Sequence, residues 1–229
     1  MYYIHDLLME RVPAKWRALR YATAFLSAIA VAASFRRLVL LAGPIATTGV
    51  SASLDAVFLL KPVLTRAHVI LGAIAAIVVP IQLSPEIRVR WPIVHRWLGR
   101  VLVVASLCAA VSGFAMLRHS IGGALEASAI VVYGSALVVT VLAGWRSIRH
   151  GDVTRHREWM LRSTAILLGV ATTRPIVAVF FATSRVTRMP PSRFFGIAFW
   201  IGFSATALAG EWYVRATRHA FAGNRARSS

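Results

Sequence analysis

The chain has 229 residues, 58% of them hydrophobic, with a mean hydropathy of +0.67 and a net charge of +18. A soluble domain is about 45–50% apolar. Here the excess is gathered into blocks of the ~20 apolar residues that a bilayer crossing needs, which excludes an ordinary soluble domain. The 26 basic residues, all arginine except Lys15 and Lys61, fall mostly between those blocks and face only 8 acidic ones. That is the positive-inside pattern of a membrane protein rather than a nucleic-acid footprint, so nucleic acid is not an expected partner.

Residues 1–17 interleave Arg11, Lys15 and Arg17 with Tyr2, Tyr3, Leu7, Leu8 and Trp16. The pattern predicts a basic leader lying on anionic lipid headgroups. A first membrane helix is expected from about 18 to 40, its far end softened by Arg36 and Arg37. The alternative is a signal peptide cleaved near Ala30-Val31-Ala32-Ala33. Residues 43–62, with Gly43, Pro44, Gly49, Asp55 and Pro62, read as a loop. A second helix is expected over 63–83, with His68 near its start and Pro80-Ile81-Gln82 at its end. Ser84–Val94 is a proline-bearing link.

His95-Arg96-Trp97-Leu98-Gly99-Arg100 opens the third helix, expected over 94–117. Arg118, His119 and the turn Gly122-Gly123 end it. Helix four spans 124–145, followed by a loop with Arg146, Arg149, His150, Gly151 and Asp152. The opening device then returns as Arg155-His156-Arg157-Glu158-Trp159-Met160-Leu161-Arg162 at the head of helix five, expected over 157–181 with an interruption at Arg174-Pro175. Helix six is expected over 194–214, with Glu211 near its end, and 215–229 reads as a basic disordered tail. The only cysteine, Cys108, lies in an apolar run. This excludes an internal disulfide or a cysteine metal site and predicts a small buried residue.

These segments predict an all-α polytopic bundle of about six transmembrane helices, covering residues 18–214. The arginine-rich segments share one side, so both termini are expected in the cytoplasm of an inner (plasma) membrane protein. A rise of 1.5 Å per residue turns the topology into depths. His95, His156 and Glu211 fall near the inner face. His68, Arg174 and His119 fall in an outer layer. A carboxylate inside a membrane needs a partner, for which Arg100, Arg162 or a protonated histidine is available to Glu211.

Arg66-Ala67-His68, Gly72, Pro80-Ile81-Gln82, the two His-Arg motifs, Gly122-Gly123, Gly151-Asp152, Arg174 and Glu211 occur in this order. Together they resemble a bacterial membrane-protein family known as domain of unknown function 2306, over about residues 60–215. The resemblance implies a class of molecule and not a reaction.

Two readings of the motifs stay open. In the plain one, Arg96, Arg100, Arg157 and Arg162 cap helix entrances and bind lipid phosphates, while Trp97 and Trp159 anchor the interface. In the sharper one, His95 and His156 form one axial pair for haem b, and His68 and His119 a second, with arginines available to the propionates. The second arrangement is loosely similar to two-haem membrane cytochromes of the b561 type, which pass electrons across a bilayer. Zinc is disfavoured because arginines beside the histidines and Glu211 repel a dication and no His-x-x-x-His pair is present. The break at Arg174-Pro175 leaves a small-solute transporter or proton-linked channel as the alternative, for which an oligomer would be needed. No phosphate loop, Ser-His-Asp order or nucleophile elbow is present, so no catalytic residue is assigned and an enzyme is not expected.

Overall fold

The computed structural model describes residues 14–43 and 61–225, so most of the leader, nearly all of the loop at 43–62 and the last four residues lie outside the described part. Eight α-helices are described: α1 (Ala14–Ala42), α2 (Pro62–Gln82), α3 (Pro85–Arg90), α4 (Pro92–Ala115), α5 (Gly123–Arg149), α6 (Val153–Leu167), α7 (Gly169–Thr187) and α8 (Pro191–Arg225). A single 3-10 turn, Leu117–His119, follows α4. Six spans are long and apolar enough to cross a membrane, α6 and α7 counting as one. The fold is the expected all-α polytopic bundle.

Short signals set the helix ends. Pro62, Pro85 and Pro92 each occupy a first helical position, where a missing N–H costs nothing. The Asp152 side chain accepts the Arg155 N–H at 2.9 Å and caps α6. Gly123 and Gly151 adopt φ of 59° and 75°, the left-handed geometry their turns require. The link 84–94 is itself partly helical. Ser84 caps α3, and Glu86 in the first turn meets Arg20 of α1 at 3.3 Å. The Ser84 hydroxyl, and then the Arg20 charge, hold the Glu86 carboxyl below the usual carboxylate range.

Successive spans pack side by side, with α1 on α2, α2 on α4, α4 on α5, and α8 on α5, α6 and α7. Contact of α7 with α1 closes the ring. The interior is built from small side chains such as Ala75, Ala76, Ala105, Ala129, Ala171 and Ala198, while Phe25, Val104, Val139 and Leu208 point outward. Lipid is as apolar as leucine, so helices associate through close packing, and small residues permit it. Cys108 follows the outward pattern. It is exposed, not buried as expected, because it shares the lipid-facing side of α4 with Val104 and Val111.

The fifth span breaks at Leu168 and not at Arg174-Pro175, and Pro175 sits within α7. Pro175 cannot donate to the Ala171 carbonyl, and its ring crowds that group. The strain appears one turn earlier, where the Ala171 N–H bonds back to Leu168 over three residues. Leu168 is buried against α2 and α4. The break lets α6 pack on α5 while α7 turns toward α1. The last helix runs on to Arg225, past the expected end at 214.

Candidate functional site

One end of the bundle, the motif face, carries the starts of α1, α4 and α6 and the ends of α2, α5 and α8. His95 lies one turn into α4, with its N–H on the Trp91 carbonyl, and its own carbonyl receives the Gln82 amide at 2.8 Å. His156 occupies the first turn of α6. Its Nδ1 lies 2.9 Å from the Gly144 carbonyl on α5. A carbonyl only accepts, so Nδ1 carries the proton and, in the neutral ring, Nε2 keeps a free lone pair. Glycine at 144 is what allows the approach, since a Cβ there would lie 2.8 Å from the Met160 sulfur. The two half-buried imidazoles are within electrostatic reach of each other, with Arg88 also in range of His95. The His95 Nδ1 is buried without a hydrogen-bond partner.

The rest of the second motif is engaged with α8 and α1. Arg162 donates to Glu211 through Nε at 2.7 Å and lies 3.6 Å from Glu158. Arg218 grips both oxygens of Glu158 at 2.9 and 2.8 Å, and Arg215 meets Glu211 at 2.7 Å. Arg157 sits over the Trp16 ring, 5.5 Å from its centre, and donates to Thr217. The first motif is looser. Arg100 stacks on Trp97 at 4.6 Å, and Arg96 is exposed. Arg162, not Arg100, is therefore the partner of Glu211.

At the opposite face, His68 Nδ1 lies 2.9 Å from the Ser112 hydroxyl on α4. Ser112 has one proton and a backbone carbonyl, that of Cys108, at 2.7 Å to receive it. It therefore accepts from His68, whose Nε2 is again left with its lone pair. Arg174 is in electrostatic reach of His68, Glu126, Arg36 and Arg37. Glu126 is buried and accepts the Gly122 N–H. No hydrogen bond or electrostatic interaction joins His119 to His68 among the described residues, and the His119 Nδ1 is buried and unpartnered.

The structure joins Arg162 to Glu211, and leaves His95 within electrostatic reach of His156 and His68 within that of Arg174. It does not join His119 to His68. Glu126, Glu158, Arg215 and Arg218 are additional polar partners. The signal for Glu126 and Glu158 was present, because acidic residues are scarce in this chain and a carboxylate in an apolar helix must be paired.

The family model described as "Predicted membrane protein (DUF2306)" matches residues 65–212, more than half of the chain. The chain belongs to that family. The match takes in both motifs, Glu126, Arg174 and Glu211, and leaves α1 outside. No curated protein and no solved structure matches the chain.

Proposed function

We propose that this member of the DUF2306 family binds a b-type haem at the motif face, with His95 and His156 as axial ligands, and serves as a membrane electron carrier. One observation carries the reading. The Gly144 carbonyl fixes His156 with Nδ1–H donated and Nε2 free, within electrostatic reach of a second imidazole on another helix. A histidine that ligates iron commonly donates its other ring N–H in this way, which fixes the ring and raises its basicity.

His95 supplies the second nitrogen, and its unpartnered buried Nδ1 marks a ring that the protein alone leaves unsatisfied. Arg88, Arg96 and Arg100 stand at the same end of the bundle with charge to offer propionates. Two imidazoles on two helices at one end of the bundle suit haem better than zinc, since no cluster of three or more metal-ligating side chains occurs among the described residues. Bound haem supplies reversible one-electron exchange. His95 and His156 would hold the iron, and Arg88, Arg96 and Arg100 would pair the propionates at one membrane surface. By the positive-inside rule that surface is cytoplasmic.

Purification in detergent from cells supplied with haem precursor tests this. The expected result is a Soret band with dithionite-sensitive alpha bands, lost in His95→Ala and His156→Ala while membrane insertion persists. A folded, colourless protein with no haem by pyridine assay would overturn it.

A further inference from the structure

A groove of about 320 Å³ runs between α1 and α8 over α6. Short side chains make room for it. Ala18, Ala22 and Thr23 of α1, Ala165 of α6, and Ala209 and Gly210 of α8 line it. Its surface is almost wholly apolar. Thr23 and Thr206 turn their hydroxyls back to the carbonyls of Leu19 and Gly202, at 2.8 and 3.2 Å. Ala18, Ala22, Ala209 and Trp212 are exposed, so the groove opens on the outer side of the bundle.

The two ends differ. One lies at the motif face, where Lys15 lines the groove and Trp16 of α1 leans on Tyr213 of α8, ring centroids 6.3 Å apart. The other end is blind. Leu26 and Leu168 line it, and one turn past Leu26, Ala30 packs with Ala76 and Ala171. From Lys15 to Leu26, α1 rises roughly 16 Å. The hydrocarbon core is ~30 Å thick, so the groove is about one leaflet deep. A membrane helix from a partner or a second copy crosses the whole core and would run past the blind end. A polar solute finds no unspent hydroxyl at Thr23 or Thr206. An acyl chain of the adjoining leaflet fits both the length and the lining.

Charge selects the head. The exposed Lys15 ammonium has no hydrogen-bond or ion-pair partner among the described residues. Arg215 stands one turn past Trp212 on the same side of α8. Only its Nε is engaged among the described residues, by Glu211, and Glu211 is also met by Arg162. An uncharged head would leave these cations without a counter-ion, whereas a lipid phosphate supplies one.

We infer that the groove is a site for one acyl chain of an anionic phospholipid, with its phosphate held at the Lys15 end. The site uses neither His95 nor His156 and does not depend on haem.

Native mass spectrometry tests this on delipidated protein in detergent, titrated with dioleoyl phosphatidylglycerol or dioleoyl phosphatidylcholine. The two lipids share their chains and differ in head charge. Wild type should take one saturable adduct and prefer the glycerol lipid. Ala22→Trp and Ala209→Trp fill the groove from exposed positions and should abolish that adduct. Ala24→Trp, exposed on α1 but outside the groove, should leave it intact. Lys15→Gln and Arg215→Gln should each cut the preference for the glycerol lipid about fivefold and spare the choline lipid. No saturable adduct in wild type, or equal affinity for the two lipids, overturns the proposal. So does an undiminished adduct in either tryptophan variant, the result expected where another protein segment covers the groove. Should one tryptophan variant fail to fold, the other decides.

Discussion

Arg162 and Glu211 meet across α6 and α8 with Nε and Oε2 2.7 Å apart. The contact is one rung of a clamp. Glu158, one turn before Arg162, takes Arg218, about two turns after Glu211. Arg157 reaches Trp16 and Thr217. The second motif thus binds α6 to both α8 and α1. Arg96 and Arg100 of the first motif have no such reach. Two motifs matched in sequence are different in space, and what they share is a histidine one turn inside a helix mouth.

The clamp predicts unequal costs for its arginines. Arg162 is 17% exposed in its side chain and serves two carboxylates, whereas Arg215 is 75% exposed and serves one. Arg162→Ala should cost about 2–3 kcal/mol, the scale of charged hydrogen bonds removed from a part-buried acceptor. Arg215→Ala should cost less than about 1 kcal/mol, as exposed pairs do. Denaturant unfolding in detergent measures both. Equal losses would show that Glu211 is held by its helical neighbour alone.

Glycines predict a second asymmetry. A Cβ on Gly202 would lie 2.6 Å from the Thr173 methyl and 2.9 Å from the Thr173 backbone nitrogen. Backbone cannot give way as a side chain can, so Gly202→Ala should force α7 and α8 apart and cost about 1–3 kcal/mol. Gly72→Ala enters open space and should gain up to about 1 kcal/mol of helix propensity. Thermal midpoints of the two variants check both halves.

Much of this was legible from residue order. Apolar run lengths and the prolines fixed six spans, and Gly122-Gly123 and Gly151-Asp152 marked their turns. The short helix α3 was hidden by its prolines, one of which starts it. The break at Leu168 was hidden because a proline distorts the turn before it, so the visible residue and the visible bend differ. Cys108 was misplaced because an apolar run does not say which of its sides faces lipid. Depth arithmetic put Arg174 in one outer layer with His68 and His119. It had no means of pairing Glu158 with Arg218, since side-chain partners depend on which helices become neighbours.

Glu86 gives a pH dependence with a definite sign. Its carboxyl is held below the ordinary value by Ser84 and Arg20. A depressed carboxylate contributes stability that is fully present above the unfolded value of about 4.3. That contribution disappears as pH falls through the lower folded value. The group is part-exposed, so the whole effect should stay below about 1 kcal/mol. Stability of wild type should therefore decline below about pH 4 more steeply than that of Glu86→Gln. Parallel acid profiles for the two proteins would remove Arg20–Glu86 as a link between α1 and α3.

The histidines give the sharpest division. His156 has its Nδ1 on the Gly144 carbonyl and His95 lies within its electrostatic reach, whereas His68 has its Nδ1 on Ser112 and no interaction among the described residues joins His119 to another imidazole. If His95 and His156 hold haem, alanine at either should remove the Soret band, and alanine at His119 should leave it unchanged. His68→Ala should spare the colour, because His68 stands at the opposite face with its Nδ1 on Ser112. Added imidazole supplies the missing nitrogen, so it should restore colour to His156→Ala if the cavity left by the side chain is otherwise intact. Visible spectra of the four variants with and without imidazole make the comparison. Loss of colour in His68→Ala or His119→Ala with retention in His156→Ala would move the ligands to the opposite face and overturn the assignment of the motif face.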